Sequence, residues 1–163
     1  MGKRSKIFYY SVLLVNVAFF ILDWLPLDLP FAFFRISFPV SLVLIGILLI
    51  IRAVNFKLDS SMFFGVTLLL TGGIDLVEKL SSSINSVHVW PYYLFAVAIA
   101  SLITAIYFKD KLQTKLCVLF FGFGLISVLF SNEIIVLWLY ITLMIIWFVG
   151  YFTFNIIKAK RRK

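Results

Sequence analysis

The residues of this chain that could do chemistry gather around one short stretch. Glu78 lies three positions after Asp75, and Lys79 lies four positions after it, so a helix places all three side chains near one side. An acid deep in a membrane is costly and usually functional, whereas an acid at the membrane surface is solvated by water. Two interpretations therefore stay open for Asp75: an interfacial helix end paired with Lys79, or a binding or proton-relay site.

Further polar residues follow this stretch and extend the candidate site. Asn85 and His88 lie in a predicted loop, and Trp90 opens the next predicted helix. We predict a polar site at the outer face for a small-molecule ligand, formed by Asp75, Glu78, Asn85, His88 and Trp90.

Motifs that would indicate catalysis are missing from the sequence. It contains no His-Glu-x-x-His, no phosphate-binding glycine loop and no Gly-x-Ser-x-Gly. His88 is the only histidine, and Cys117 is the only cysteine, which we expect to be a buried thiol. We predict a protein that is not an enzyme, with no catalytic residues, no metal and no cofactor.

Composition predicts the elements that carry these residues. Hydrophobic residues make up 63% of the chain and charged residues only 13%, with a mean hydropathy of +1.11, whereas soluble domains carry roughly 25% charged residues. A membrane helix needs about 20 apolar residues. We predict an all-α integral membrane protein with a single transmembrane domain over residues 1–163. Its six helices are predicted at about 7–25, 38–53, 61–80, 90–108, 115–130 and 134–157, with Pro39 and Pro91 at helix starts.

The distribution of positive charge predicts the orientation. With six spans and the N-terminus inside, only Arg35 and Lys79 of the 15 Lys and Arg residues fall outside, and the other 13 fall inside. Because positive residues gather in cytoplasmic loops, we expect both termini to be cytoplasmic. The basic tail (Lys158, Lys160, Arg161, Arg162 and Lys163) is expected to meet anionic lipid headgroups, or else an acidic partner. A nucleic-acid partner is not expected.

Short predicted outer loops suggest three helical hairpins, and the sequence hints that the hairpins repeat. Phe38-Pro39 and Trp90-Pro91 open two helices alike, and each proline is followed seven residues later by a small residue, Gly46 or Ala98. Chance matches among many similar apolar residues explain this equally well. Small residues that would allow close helix packing are Gly65, Gly72, Gly73, Ala96, Ala98, Ala100, Ala105, Gly122 and Gly124.

The stretch from Phe38 to Arg52 carries a family resemblance. Its aromatic-Pro start, apolar run, Gly46 and terminal Arg52 resemble the transmembrane module of bacterial LiaI/LiaF-type cell-envelope stress proteins. The resemblance covers the first two helices and, more loosely, the next two. It implies a bacterial cytoplasmic-membrane protein that regulates envelope stress through another membrane protein.

Two functions compete at this point. One is a non-enzymatic accessory or regulatory subunit that contacts another membrane protein or a second copy of itself within the bilayer. The other is a small-solute transporter component, such as the substrate-binding subunit of an energy-coupling-factor uptake system. The polar outer-face site would bind the solute in that case.

Overall fold

The computed structural model describes residues 3–25, 33–81 and 86–160, and these residues are almost entirely helical. The helices are α1 (Lys3–Trp24), α2 (Phe33–Phe56), α3 (Asp59–Leu80), α4 (Ser86–Phe108), α5 (Lys111–Ser131) and α6 (Leu137–Lys160). The prediction of an all-helical chain is thus confirmed for the described residues.

Five stretches of described helix are long and apolar enough to cross a membrane, which indicates a multi-pass membrane protein. They are Phe34–Phe56, Asp59–Leu80, His88–Phe108, Lys111–Ser131 and Leu137–Lys158. Helix α1 contains a shorter apolar stretch, Tyr10–Leu22.

The two prolines predicted to open helices lie inside them instead, so that prediction was wrong. Helix α2 begins at Phe33, six residues before Pro39, and α4 begins at Ser86, five residues before Pro91. A proline in a helix interior removes one backbone hydrogen bond, which membrane helices tolerate where neighbouring helices pack closely. Both prolines are fully buried.

Two-residue connections join α2 to α3 and α4 to α5. Lys57 and Lys109 take left-handed backbone conformations there, with φ of 52° and 55°. At the end of α2 the amide N–H of Leu58 donates to the carbonyl oxygen of Ala53 at 3.1 Å, the bond that closes many helix C-termini. At the start of α5 the Asp110 carboxylate accepts a hydrogen bond from the Leu112 amide at 2.8 Å, which satisfies one free N–H.

The chain forms two compact units, Met1–Ser83 and Ile84–Lys163. In the first unit α2 contacts both α1 and α3, and in the second α5 contacts both α4 and α6. The α2–α3 and α4–α5 pairs pack more extensively than α1–α2 and α5–α6. The predicted hairpins include α1–α2 and α5–α6, which are in contact, but the three-hairpin arrangement as a whole stays a prediction.

Glycines set the closest helix approach in the first unit. A Cβ atom added at Gly46 would lie 2.7 Å from the Gly65 carbonyl oxygen, and one at Gly65 would lie 2.8 Å from the Ile50 amide nitrogen. Further along α3, a Cβ atom at Gly72 would lie 2.8 Å from the Pro39 carbonyl oxygen. Gly65 and Gly72 therefore pack as predicted, whereas Gly73 faces open space with no atom within 4 Å.

Small residues also build the interior of the second unit. Ala96, Ala98, Ala100 and Ala105 of α4 are buried, as predicted. On α5, Gly124 lies against the Phe95 ring, and a Cβ atom there would be 2.9 Å from it. Gly122 lies against the indole ring of Trp147 from α6.

A polar group lies between α1 and α2. The Asn16 amide nitrogen donates to the Ser41 hydroxyl at 2.6 Å and to the Val12 carbonyl oxygen at 2.8 Å. The Ser37 hydroxyl donates back to the Asn16 side-chain oxygen at 3.3 Å. Such interhelical hydrogen bonds hold membrane helices together where the hydrophobic effect between them is weak.

Candidate functional site

The five residues of the predicted outer-face site are distributed over both units. Asp75 and Glu78 are half-buried in the C-terminal part of α3, in the first unit. His88 and Trp90 belong to α4, in the second unit. Asn85 lies outside the described residues. The site as a set therefore stays a prediction.

His88 and Trp90 occupy the beginning of α4, so the prediction of a loop at His88 was wrong. His88 is exposed. The Trp90 ring packs edge-on against Tyr140 of α6 at 6.4 Å between centroids, and the Tyr140 ring also stacks on Phe130 of α5 at 4.6 Å. Trp90 therefore joins an aromatic contact that links the three helices of its own unit.

The basic tail begins inside α6, because this helix continues to Lys160 rather than ending at 157. Lys158 and Lys160 lie in the last turn, where positive charge interacts favourably with the helix dipole. The Lys158 ammonium also lies 5.8 Å from the centroid of the Phe154 ring. Arg161, Arg162 and Lys163 lie outside the described residues.

A groove with a volume of about 990 Å³ lies between α5 and α6. This is at the upper end of the roughly 300–1,000 Å³ that ligand clefts span. One end is cationic, with Lys111 and Lys115 from α5 and Lys158 from α6. The remainder is lined mainly by apolar side chains, including Val118, Ile126, Leu143 and Ile146.

Two aromatic side chains of α6 form one wall of this groove and tie it to α5. The Trp147 indole N–H donates to the Leu119 carbonyl oxygen at 3.1 Å. The Tyr151 hydroxyl donates to the Lys115 carbonyl oxygen at 2.6 Å. Both acceptors are main-chain carbonyls, so these bonds fix the separation of the two helices without using the lysine side chains.

The sequence identified Lys111 and Lys115 only as cytoplasmic positive charges, and Lys158 as part of the basic tail expected to meet anionic lipid headgroups or an acidic partner. It did not predict the groove. Lys111 and Lys115 are four residues apart, which puts them on one face of α5. The predicted hairpin of the last two helices would also bring the start of α5 beside the end of α6. These two signals together could have located the cationic end, but not the space behind it.

The outward faces of the helices are strongly apolar. Within the span Leu137–Lys158 of α6, the most apolar 18-residue window contains no buried residue. Its large apolar side chains are instead exposed, for example Ile145 at 58% and Ile156 at 57%. A helix of this kind must be covered by lipid or by another protein.

Cys117, predicted to be buried, is half-buried on α5. Over the described ranges the structure contains no cluster of three or more His, Cys, Asp or Glu side chains that could hold a metal ion.

Comparison of the chain with protein-family models, with curated proteins and with solved structures finds no match.

Proposed function

We propose that this chain is a non-enzymatic accessory or regulatory subunit that contacts another membrane protein within the bilayer. The observation that carries the proposal is α6, a helix with no buried residue in its most apolar stretch. Its attachment to α5 uses the side chains of Tyr140, Trp147 and Tyr151 along one line, together with ring stacking of Phe148 on Phe123. The rest of its apolar surface is available to a partner helix.

The proposal includes a topology of six spans with both termini in the cytoplasm and helices paired as three hairpins. It is supported by the 13 positive residues on the inner side against Arg35 and Lys79 on the outer side. The short connections at Lys57 and Lys109 both belong to the inner side in this topology. We place the protein in the cytoplasmic membrane of a bacterium, on the resemblance of residues 38–52 to the LiaI/LiaF-type module.

An internal repeat is part of the same proposal, but its copies are the pairs α2–α3 and α4–α5 rather than the three predicted hairpins. Lys109 lies 52 residues after Lys57 and has the same left-handed conformation. The same separation relates buried Pro39 to buried Pro91, and buried Ala53 to buried Ala105. It also relates the contact of Gly72 with Val43 to the contact of Gly124 with Phe95. Agreement in backbone conformation, burial and contact at one spacing supports duplication of a helix pair.

Topology is tested by labelling single cysteines in intact cells with a membrane-impermeant maleimide. Cys117→Ser removes the only native thiol, and one cysteine is then placed at Lys160 or at Glu133. We expect labelling at position 133 in intact cells, and at position 160 only after the membrane is permeabilised. Labelling of position 160 in intact cells would overturn the orientation.

The regulatory role is tested by photo-crosslinking in the native membrane. A photoreactive amino acid is placed at Ile145 or Ile156 on α6, with Phe64 on α3 as a matched control, since it is 57% exposed. The proposal expects one membrane protein to be captured at stoichiometric level from α6 only. Deleting the chain should then change the output of an envelope-stress reporter.

Two other results would contradict this role. Capture of a transporter ATPase module, or retention of a small solute, would favour the energy-coupling-factor alternative. Equal capture from α6 and from Phe64 would mean that α6 has no dedicated partner. The homo-oligomeric variant of the proposal is recognised by a crosslink to a second copy of the chain.

A further inference from the structure

The groove between α5 and α6 has a use beyond the proposed function. We propose that it binds one anionic phospholipid, with the phosphate at Lys111, Lys115 and Lys158 and an acyl chain along the apolar part. The proposed orientation assigns this lipid to the cytoplasmic leaflet, but the site itself is defined only by residues of the second unit.

The charge at the groove end matches an anionic headgroup. Three exposed lysines from two helices converge there, and the groove lining contains no acidic residue. The nearest acid in sequence is Asp110, whose carboxylate is engaged by the Leu112 amide. The Tyr151 hydroxyl donates to the Lys115 main-chain carbonyl and so does not use the ammonium group of that lysine. Basic pockets between membrane helices are recognised binding sites for anionic lipid headgroups.

The length of the groove matches one leaflet. Its α5 wall extends from Lys111 to Ile126 and its α6 wall from Leu143 to Lys158. Each wall covers sixteen residues, so its ends are fifteen steps apart, or about 22 Å at 1.5 Å per residue. Half of a bilayer including its headgroup region is roughly 20–22 Å. A phospholipid with its phosphate at the lysines therefore reaches the apolar end near Leu143 with its chains.

The groove is open where an acyl chain would lie. Gly150 of α6 lines it, and a Cβ atom added there would have no atom within 4 Å. A second copy of the chain is a poorer occupant. Its inner helix ends also carry lysine and arginine, for example Arg52 and Lys57, so it would bring like charges to the cationic end.

The experiment measures lipid retention by native mass spectrometry of the purified protein, using phosphatidylglycerol and phosphatidylcholine of identical chains as probes. Variant one is Lys111→Gln/Lys115→Gln/Lys158→Gln. Its matched control is Arg52→Gln/Lys57→Gln/Lys160→Gln, which removes the same total charge from residues that do not line the groove. Variant two is Gly150→Leu, which fills the groove, with Gly73→Leu as its control because Gly73 also faces open space.

We expect the parent to retain one phosphatidylglycerol in preference to phosphatidylcholine. Each groove lysine should contribute roughly fivefold, which corresponds to about 1 kcal/mol per lysine near a lipid surface. The triple lysine variant should therefore lose the preference, and its control should keep it. Gly150→Leu should lower retention of both lipids at least tenfold, whereas Gly73→Leu should leave retention unchanged.

The proposal is overturned if the parent retains both lipids equally, or if the two lysine triples behave alike. It is also overturned if Gly150→Leu retains lipid and folds like the parent, or if a dimer of the chain replaces the lipid adduct. Should Gly150→Leu fail to fold, judged by gel filtration, the lysine comparison decides alone. None of these results depends on a protein partner, so the test stands apart from that of the regulatory role.

Discussion

Replacing Gly46 by alanine is the most direct test of how the first unit is held together. The added Cβ atom would lie 2.7 Å from the Gly65 carbonyl oxygen and 2.7 Å from the Leu69 amide nitrogen. Both are main-chain atoms of α3, so no side chain can rotate away to make room. The two helices must move apart instead.

The size of the effect follows from that separation. Non-bonded atoms prefer about 3.5 Å or more, so α3 must withdraw by roughly 0.5–1 Å, and such a gap forfeits a quarter to a half of each dispersion contact. Overpacking of this kind typically costs 1–3 kcal/mol. Since only backbone can yield, we expect the upper half of that range, about 2–3 kcal/mol.

A buried thiol reports the opening of this helix pair. Ala53 lies seven residues after Gly46, on the same face of α2, and is 0% exposed. In a Cys117→Ser background, the alkylation rate of the Ala53→Cys thiol is followed in mild detergent. A loss of 2 kcal/mol corresponds to roughly a 30-fold increase in the open population, so Gly46→Ala should accelerate alkylation by about that factor.

Gly73→Ala is the matched control on α3. No atom lies within 4 Å of the added Cβ, and alanine favours a helix by up to about 1 kcal/mol over glycine. The alkylation rate should therefore stay equal or fall. If Gly46→Ala and Gly73→Ala give the same rate, the close approach of α2 and α3 is wrong.

Four further substitutions test individual contacts by the denaturant sensitivity of the folded state in mixed micelles. Asn16→Leu removes the hydrogen bond to Ser41 and should destabilise by about 0.6–1.7 kcal/mol; a neutral result would mean that the α1–α2 contact does not rely on it. Ser101→Ala should be neutral or stabilising, since the buried Ser101 hydroxyl has no hydrogen-bond partner among the described residues; a loss above about 1 kcal/mol would contradict this. Tyr151→Phe removes the 2.6 Å hydrogen bond to the Lys115 carbonyl oxygen and should lower the stability by about 1 kcal/mol. Tyr140→Phe removes only a 3.5 Å contact with the Ser127 hydroxyl and should lower the stability by less. The reverse order of the two losses would refute the geometry.

The helices and their positions in the chain could be predicted because the length of an apolar run is a property of the local sequence. A run of about 20 apolar residues must form its own backbone hydrogen bonds in lipid, whatever its neighbours are. The predicted spans therefore lie within a few residues of the described helices. The helix starts at Pro39 and Pro91 were predicted five and four residues too late, because tertiary packing allows proline one or more turns inside a helix.

Composition also determined that a few small residues would permit close helix contact, but not which of them meet. Gly46 and Gly65 meet across α2 and α3, whereas Gly73 and Gly150 face open space. These glycines are the same residue type but lie on different helix faces; Gly65 and Gly73, for example, both belong to α3. Which face of a helix meets its neighbour depends on the summed packing of two whole faces, which no local pattern encodes.

The candidate sites, too, depended partly on the sequence and partly on the tertiary structure. The sequence alone predicted that positive charge gathers at the cytoplasmic helix ends, since Lys and Arg are concentrated in cytoplasmic loops. Only the tertiary structure brought Lys111, Lys115 and Lys158 to one end of an apolar groove. The physical reason is that Trp147 and Tyr151 bond to main-chain carbonyls of α5, which sets the register of α6 and leaves a gap beside Gly150.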